Sequence, residues 1–156
     1  MVAALPEHHS IFQRISRNPF LMAAGIDTNP DVLTIETLRD RAWRVVEPHY
    51  LARLAGLVAT FEAARAQELG DHDLAQVARS AVAGRVSTLL IEADRHVPGR
   101  IGTVTGRIEF DDLAHPEVDD LLADLGELAL KNGGQVVIVP AERMPTCTGI
   151  AAIYRF

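Results

Sequence analysis

The stretch that decides the fold is GRVSTLLI, residues 84–91. Most side chains of residues 86–91 are β-branched or apolar, and a glycine and an acidic turn flank them, so a buried strand is predicted. Two later runs have the same character, residues 135–139 and residues 150–154. Because a helical segment separates the first two strands, parallel pairing is favoured, in an α/β domain whose sheet is covered on both faces.

A helical lead-in precedes the first strand. Residues 31–70 carry apolar side chains at helical spacing, and Pro48 is expected to break or kink the run. Gly70 is expected to end it in a left-handed conformation. A shorter helix is then predicted, with Asp71 or Asp73 as its N-cap.

The clearest predicted helix covers residues 116–131, with Pro116 in its first turn and Gly133 just beyond its end. Residues 94–106 contain a proline and three glycines and predict a loop. Residues 107–110 predict a short edge strand. The predicted sheet therefore has three main strands, and the acidic helix connects two of them.

The charge is unevenly distributed. The net charge is −6, and residues 108–156 contain nine acidic and three basic side chains. A negative chain disfavours general nucleic-acid binding, which depends on neutralised phosphates. A solvated acidic face explains part of this cluster, and a docking surface for a basic partner is the alternative. The predicted partner-binding acids are Asp111, Asp112, Glu117, Asp119, Asp120 and Asp124.

Composition narrows the chemistry and the compartment. Cys147 is the single cysteine, so an intrachain disulfide is excluded and a reducing compartment is favoured. The first residues lack the basic start of a signal peptide, and no apolar run has the length of a membrane span, so a cytoplasmic location without membrane association is predicted. The histidines lack metal-ligand spacing, and neither a phosphate loop nor an activated nucleophile is found. No catalytic, cofactor or metal site is predicted.

Several segments resemble one family. Residues 84–91 resemble a strand junction in the C-terminal domain of Pelota and of the eukaryotic and archaeal class-one release factors, and residues 148–156, TGIAAIYRF, resemble the end of Pelota. The helix followed by GGQVVIV at 133–139, and the segment 26–38, match in the same order. The acidic helix and residues 140–146 are most similar to the bacterial branch of this archaeo-eukaryotic release-factor-like group.

The resemblance implies an α-β-α sandwich with a mixed sheet, akin to the kink-turn-binding ribosomal proteins. It also implies that residues 1–30 are the remnant of a preceding middle domain and its linker, and that residues 31–156 form the C-terminal domain. Release factors hydrolyse peptidyl-tRNA with an exposed Gly-Gly-Gln tip. Here Gly133, Gly134 and Gln135 follow a helix and enter a strand, so a helix cap is the preferred interpretation.

The predicted function is therefore a non-catalytic protein-interaction domain in translation termination or ribosome rescue. The implied partner is a translational GTPase or a ribosomal protein, with ribosome association. A structured-RNA-binding module is the first alternative, and a small enzyme of unknown reaction is the second. The predicted RNA or ribosome contacts are Arg95, Arg100 and Arg107, together with Arg85 in the RNA-binding alternative.

Overall fold

Residues 1–110 and 119–156 are described by the computed structural model, and their contacts divide the chain into two units, Met1–Arg53 and Leu54–Phe156. In the first unit, β1 (Ala3–Ala4) pairs in parallel with β2 (Ile26–Asp27). Helix α1 (Pro6–Ile15) connects these strands, with its proline in the first turn. A 3₁₀ turn follows at Pro30–Val32.

Helix α2 (Ile35–Arg65) continues through Pro48, so the predicted break at this residue does not occur. A proline removes one backbone hydrogen bond, but a helix of 31 residues retains the others on both sides. The predicted left-handed glycine at the end is also wrong, because Glu68 adopts φ 60° and the Leu69 amide donates to the Ala64 carbonyl at 2.8 Å.

Unit 2 is built on a four-stranded mixed sheet. Its strands are β3 (Gly70–Asp71), β4 (Val86–Glu92), β8 (Gln135–Val139) and β9 (Ile150–Tyr154), in the order β3-β9-β4-β8. The predicted parallel pairing of β4 with β8 is confirmed, with Leu89 opposite Val136, while β9 lies antiparallel to β4. All three predicted main strands are therefore present.

Two helices cover one face of this sheet. Helix α3 (Leu74–Val82) begins at Asp73, whose carboxylate accepts the Gln76 amide at 2.9 Å, and helix α4 covers Leu121–Lys131. The side chains of α3, α4, β4 and β9 form one buried cluster. Its members are Val77, Ala78, Ala81, Val86, Leu89, Ile91, Leu122, Leu125, Ala129, Ile150, Ala152 and Tyr154.

The opposite face of the sheet is buried as well. Leu90 of β4 and Ala151 of β9 alternate with the cluster residues and are fully buried. Phe61 of α2 is fully buried outside that cluster, and Gly70 of β3 lies against the α2 backbone at this point. Both faces of the sheet carry buried residues, and the structure confirms the predicted α/β sandwich with a mixed sheet.

A second, three-stranded antiparallel sheet occupies part of the predicted loop. Its strands are β5 (Pro98–Ile101), β6 (Ile108–Phe110) and β7 (Asp119–Asp120), in the order β6-β5-β7. The edge strand β6 was predicted and β5 was not, because its sequence is only PGRI. Helix α4 begins at Leu121 rather than in the region of Pro116, which lies outside the described residues.

Candidate partner-binding surface

The small sheet brings acidic and basic predicted site residues onto one module. Arg100 of β5 pairs with Glu109 of β6 in the antiparallel register. On the other side of β5, Pro98 pairs with Asp120 and Gly99 pairs with Asp119. Arg100 of β5 and the acidic residues of β7 are separated in sequence. The three-stranded sheet places them on neighbouring strands. We call this module, residues 97–110 and 119–124 with the start of α4, the charged hairpin module.

The loop between β5 and β6 is held tightly against α3. The Gly106 amide donates to the Gly102 carbonyl at 2.7 Å, and Gly106 has φ +66°. A Cβ atom on Gly106 would lie 2.7 Å from the Arg79 Cα atom and 2.8 Å from the Arg79 nitrogen. Only glycine combines this φ with this approach, so the hairpin is anchored to the domain at its turn.

Asp120 is an acid with a structural role. One of its carboxylate oxygens accepts the Leu122 amide at 3.1 Å and the Val97 amide at 3.0 Å. The other oxygen lies 3.0 Å from the His96 Nδ1 atom. It therefore caps α4 and ties this helix to the residues before β5, as acids at N-caps do. The Leu121 amide adds a bond of 2.9 Å to the Val97 carbonyl.

The outer part of the hairpin carries a mixed-charge groove of about 290 Å³. Arg107 and Glu109 are both exposed and lie 3.9 Å apart, while Arg100 faces the same groove. Guanidinium and carboxylate groups both line this groove, and charges of both signs suit a mixed-charge partner surface.

The other two predicted arginines are engaged inside the domain. The Arg95 guanidinium donates to Glu92 at 3.1 Å, and its side chain packs against the backbone of Gly149. The Arg85 guanidinium lies 5.4 Å from the centre of the Tyr154 ring and donates to the Phe156 carbonyl at 2.9 Å. These two arginines stabilise the domain and contribute less to the outer surface than the hairpin arginines do.

The remaining predicted acids are placed as follows. Asp124 is half-buried on α4, where it lines a small cavity with Ile101 and Lys131. Asp119 belongs to β7 through its backbone. Asp111, Asp112 and Glu117 lie outside the described residues. The predicted acidic surface is therefore represented in the structure chiefly by the start of α4.

A further cleft, not predicted, lies at the carboxyl ends of the parallel strands β4 and β8. It has a volume of about 200 Å³ and apolar side chains from β4, α4 and β8 at its base. Ligands of open α/β sheets commonly bind at this position. Asp94 is the residue by which the sequence could have indicated this cleft, because it is an acid shortly after a buried strand. In the structure it adopts φ 58°.

The Gly-Gly-Gln triplet has a structural explanation, as predicted. Gly133 has φ +72° and ends α4, and the Gly134 amide donates to the Ala129 carbonyl at 2.7 Å. Gln135 is the first residue of β8 and pairs with Thr88. The triplet is thus a helix end that leads directly into the central sheet.

Within residues 1–110 and 119–156, no group of three or more metal-ligating side chains is found. Burial raises the pKa of the Tyr154 hydroxyl, and the nearby Asp71 carboxylate raises it further against the opposing effects of Ser80 and Arg85. This hydroxyl is buried and makes no hydrogen bond of ordinary geometry with a described residue.

In the same described part of the chain, no helix has the length and hydropathy needed to cross a bilayer.

The model of bacterial archaeo-eukaryotic release factor family 3 matches residues 1–85, more than half of the sequence. The chain belongs to this family. The predicted family resemblance is thereby confirmed. A search of curated proteins finds no match for this release-factor family member.

Solved structures confirm the fold. The C-terminal domain of a peptide chain release factor from Methanosarcina mazei matches with a TM-score of 0.62 at 20% identity, over 83% of this chain and 96% of that domain. Archaeoglobus fulgidus Pelota matches with a TM-score of 0.50 at 20% identity, over 98% of this chain and 47% of Pelota. A ribosome-bound archaeal Pelota with ABCE1 matches with a TM-score of 0.50 at 18% identity, over 94% of this chain and 40% of that chain. The family 3 chain thus spans less than half the length of these Pelota proteins.

Proposed function

We propose that this chain is a non-catalytic protein-interaction domain that acts in translation termination or ribosome rescue. Membership of release factor family 3 is the observation that carries the proposal. The match to almost all of a release factor C-terminal domain supports it, because it relates residues from both units to one domain of such a factor. A protein that acts at the ribosome is expected in the cytoplasm, and this is the location that we propose.

The proposed partner is a translational GTPase or a ribosomal protein, bound with the chain in association with the ribosome. One matching structure holds ribosome-bound Pelota together with ABCE1, which is a precedent for a protein partner in this fold. The mixed charges of the hairpin groove and the acids of α4 fit a protein surface better than a continuous run of phosphates. We further propose that residues 1–30 belong to a preceding middle domain and residues 31–156 to the C-terminal domain.

Ribosome co-sedimentation tests this function. The chain is expected to pellet with ribosomes through a sucrose cushion at low salt, alone or with the translational GTPase of the same cell. Arg107→Glu should lower the pelleted fraction, because it reverses a charge at the exposed hairpin. Arg39→Glu is the matched control, an exposed arginine of unit 1 that pairs only with its neighbour Asp40 among described residues. A chain that stays in the supernatant under all these conditions would contradict the proposal.

The non-catalytic assignment makes a separate prediction. Gln135→Ala should leave peptide release by the parent protein unchanged, since Gln135 is a strand residue paired with Thr88. Peptidyl-tRNA hydrolysis measured on stalled ribosomes checks this. A complete loss of hydrolysis in a variant that remains folded would show that the triplet is catalytic.

The groove between Arg100 and Arg107 favours one second candidate, a structured-RNA-binding module. Gel shifts with structured RNA should then show binding that falls steeply with salt and that Arg107→Glu weakens at every RNA sequence. If the chain binds no RNA at low salt, the protein-docking function stands alone.

A further inference from the structure

Strand β8 is the open edge of the central sheet. It lies at the end of the strand order, and no described strand pairs with its outer side. The Ala93 amide donates to the Val139 carbonyl at 2.8 Å, so Val139 directs its backbone groups toward β4. Because backbone groups alternate along a strand, Val137 faces β4 as well, and Val136 and Ile138 direct their N–H and C=O groups outward.

The strand's own sequence lacks the usual protection of an edge. The five residues of β8 include no charge and no proline, and its ladder with β4 is regular. Natural edge strands commonly carry lysine, proline or a bulge that prevents another strand from pairing. The Ile138 side chain is 55% exposed although it belongs to the main sheet. An extended segment could thus pair with β8 without any change in the domain.

The cleft at the end of β8 supplies a pocket for one side chain of such a segment. Ile138, Leu122 and Ala123 form its apolar part, and its volume of about 200 Å³ accommodates an aliphatic side chain. Leu122 is buried, whereas Ala123 and Ile138 are exposed beside it. Main-chain pairing would provide affinity, and this pocket would provide selectivity.

The rim of the cleft is acidic. Glu92 pairs with Arg95 at 3.1 Å and Asp120 pairs with His96 at 3.0 Å, so Asp94 is the rim carboxylate that matters for a partner. Asp94 is exposed at the end of β4, and its carboxylate makes no hydrogen bond or ion pair with a described residue. A lysine or arginine near this position would gain a favourable interaction that a neutral or acidic residue would not.

We propose that the outer edge of β8 binds an extended segment of a protein partner in which apolar and basic residues alternate. The segment adds a fifth strand to the sheet. It places an apolar side chain beside Ile138 and a basic side chain beside Asp94. A second copy of β8 is less suited to this place, because it is uncharged and the whole chain carries −6. The inference rests on the proposed docking function and names the chemistry of the partner segment.

Nuclear magnetic resonance with a synthetic probe tests the proposal. The probe is the end-blocked peptide Lys-Val-Arg-Val-Lys-Val, added to the isotope-labelled full chain. We expect it to slow hydrogen exchange of the outward Val136 and Ile138 amides by about tenfold or more and to shift their resonances. A charge-reversed peptide, Glu-Val-Asp-Val-Glu-Val, should bind at least about tenfold more weakly.

Two variants separate the backbone and charge contributions. Ile138→Pro removes an outward N–H while leaving the bonds to β4, and it should weaken binding about tenfold or more, whereas Ile138→Val keeps the amide and should retain binding. Asp94→Asn should weaken binding about two- to fivefold. Asparagine tolerates the left-handed φ of this position, so the fold is retained. Should Ile138→Pro not fold, a probe with N-methylated alternate residues removes the same pairing from the peptide side.

Equal binding of the two peptides, or of the N-methylated and unmodified probes, would overturn the inference. A dimer that Ile138→Pro dissociates would assign the edge to a second copy and would also overturn it. Ribosome co-sedimentation of the same variants separates this inference from the proposed function. If the chain pellets but the probe leaves β8 unprotected, only the peptide inference fails. If the probe binds and the chain never pellets, the ribosomal function fails instead.

Discussion

Replacing Asp120 tests whether this predicted binding acid is in fact structural. In Asp120→Ala, the amides of Leu122 and Val97 both lose their acceptor. Loss of an N-cap costs about 0.5–2 kcal/mol. A half-buried amide left without a partner adds about 1 kcal/mol. We therefore expect a loss of about 1.5–3 kcal/mol of unfolding free energy, or about 3–12 °C in Tm for a chain of this size.

Asp120→Asn is the matched control. Its side-chain oxygen can accept the same two amides, while the interaction with the exposed His96 is weakened. The expected loss is below about 1 kcal/mol. Urea unfolding followed by circular dichroism measures the totals, and hydrogen exchange at Val97 and Leu122 should accelerate about 30-fold in the alanine variant alone. If alanine is tolerated, or if asparagine is as damaging as alanine, the structural account of Asp120 is wrong.

Two further predictions concern single residues of the core. Gly106→Ala should cost about 2–4 kcal/mol, because the methyl group meets the Arg79 backbone at 2.7 Å and φ is +66°. Gly84→Ala is the control, because Gly84 has φ +70° and no atom within 4 Å, so its loss of about 1 kcal/mol reflects the backbone conformation alone. If urea titration gave both variants the same loss of unfolding free energy, the close approach at Gly106 would not matter. Tyr154→Phe should leave stability unchanged or raise it by about 1 kcal/mol, because it removes a buried hydroxyl whose contact with Ser80 falls short of ordinary hydrogen-bond geometry. Since the folded pKa of Tyr154 is raised above 10.0, the unfolded chain releases its proton first, so the wild type should lose stability above pH 10 and the phenylalanine variant should lose less.

The main sheet could be predicted because its signals are local. Residues 86–91, 135–139 and 150–154 are runs rich in apolar side chains, and each is a strand. Burial was predicted for all three, but β8 lies at the edge of the sheet and is only partly buried. The helix end at Gly133 and the N-cap at Asp73 could also be predicted from local sequence. The small sheet was not, because β5 and β7 are too short to show an alternating pattern and exist only through pairing with each other.

The candidate site shows the same division at the level of single side chains. Sequence identifies Asp120 as an acid in an acidic cluster, but its contacts with His96 and Val97 depend on the approach of β5 to the start of α4. Arg95 is likewise a basic residue in a loop by sequence and the partner of Glu92 in the fold. Folding therefore uses some of the predicted binding charges internally and leaves Arg107 at the surface, while Asp94, which was not predicted, is exposed as well.

This division bears on how the domain selects partners. Arg107 at the hairpin groove and Asp94 beside β8 have opposite charge and belong to different parts of the domain. A partner group that contacts Arg107 is expected to be acidic, whereas a segment that pairs with β8 is expected to carry basic groups. Reversing one surface at a time, by Arg107→Glu or by Asp94→Lys, should then affect different partners. If both variants lost the same partner to the same extent, the two surfaces would act as one interface.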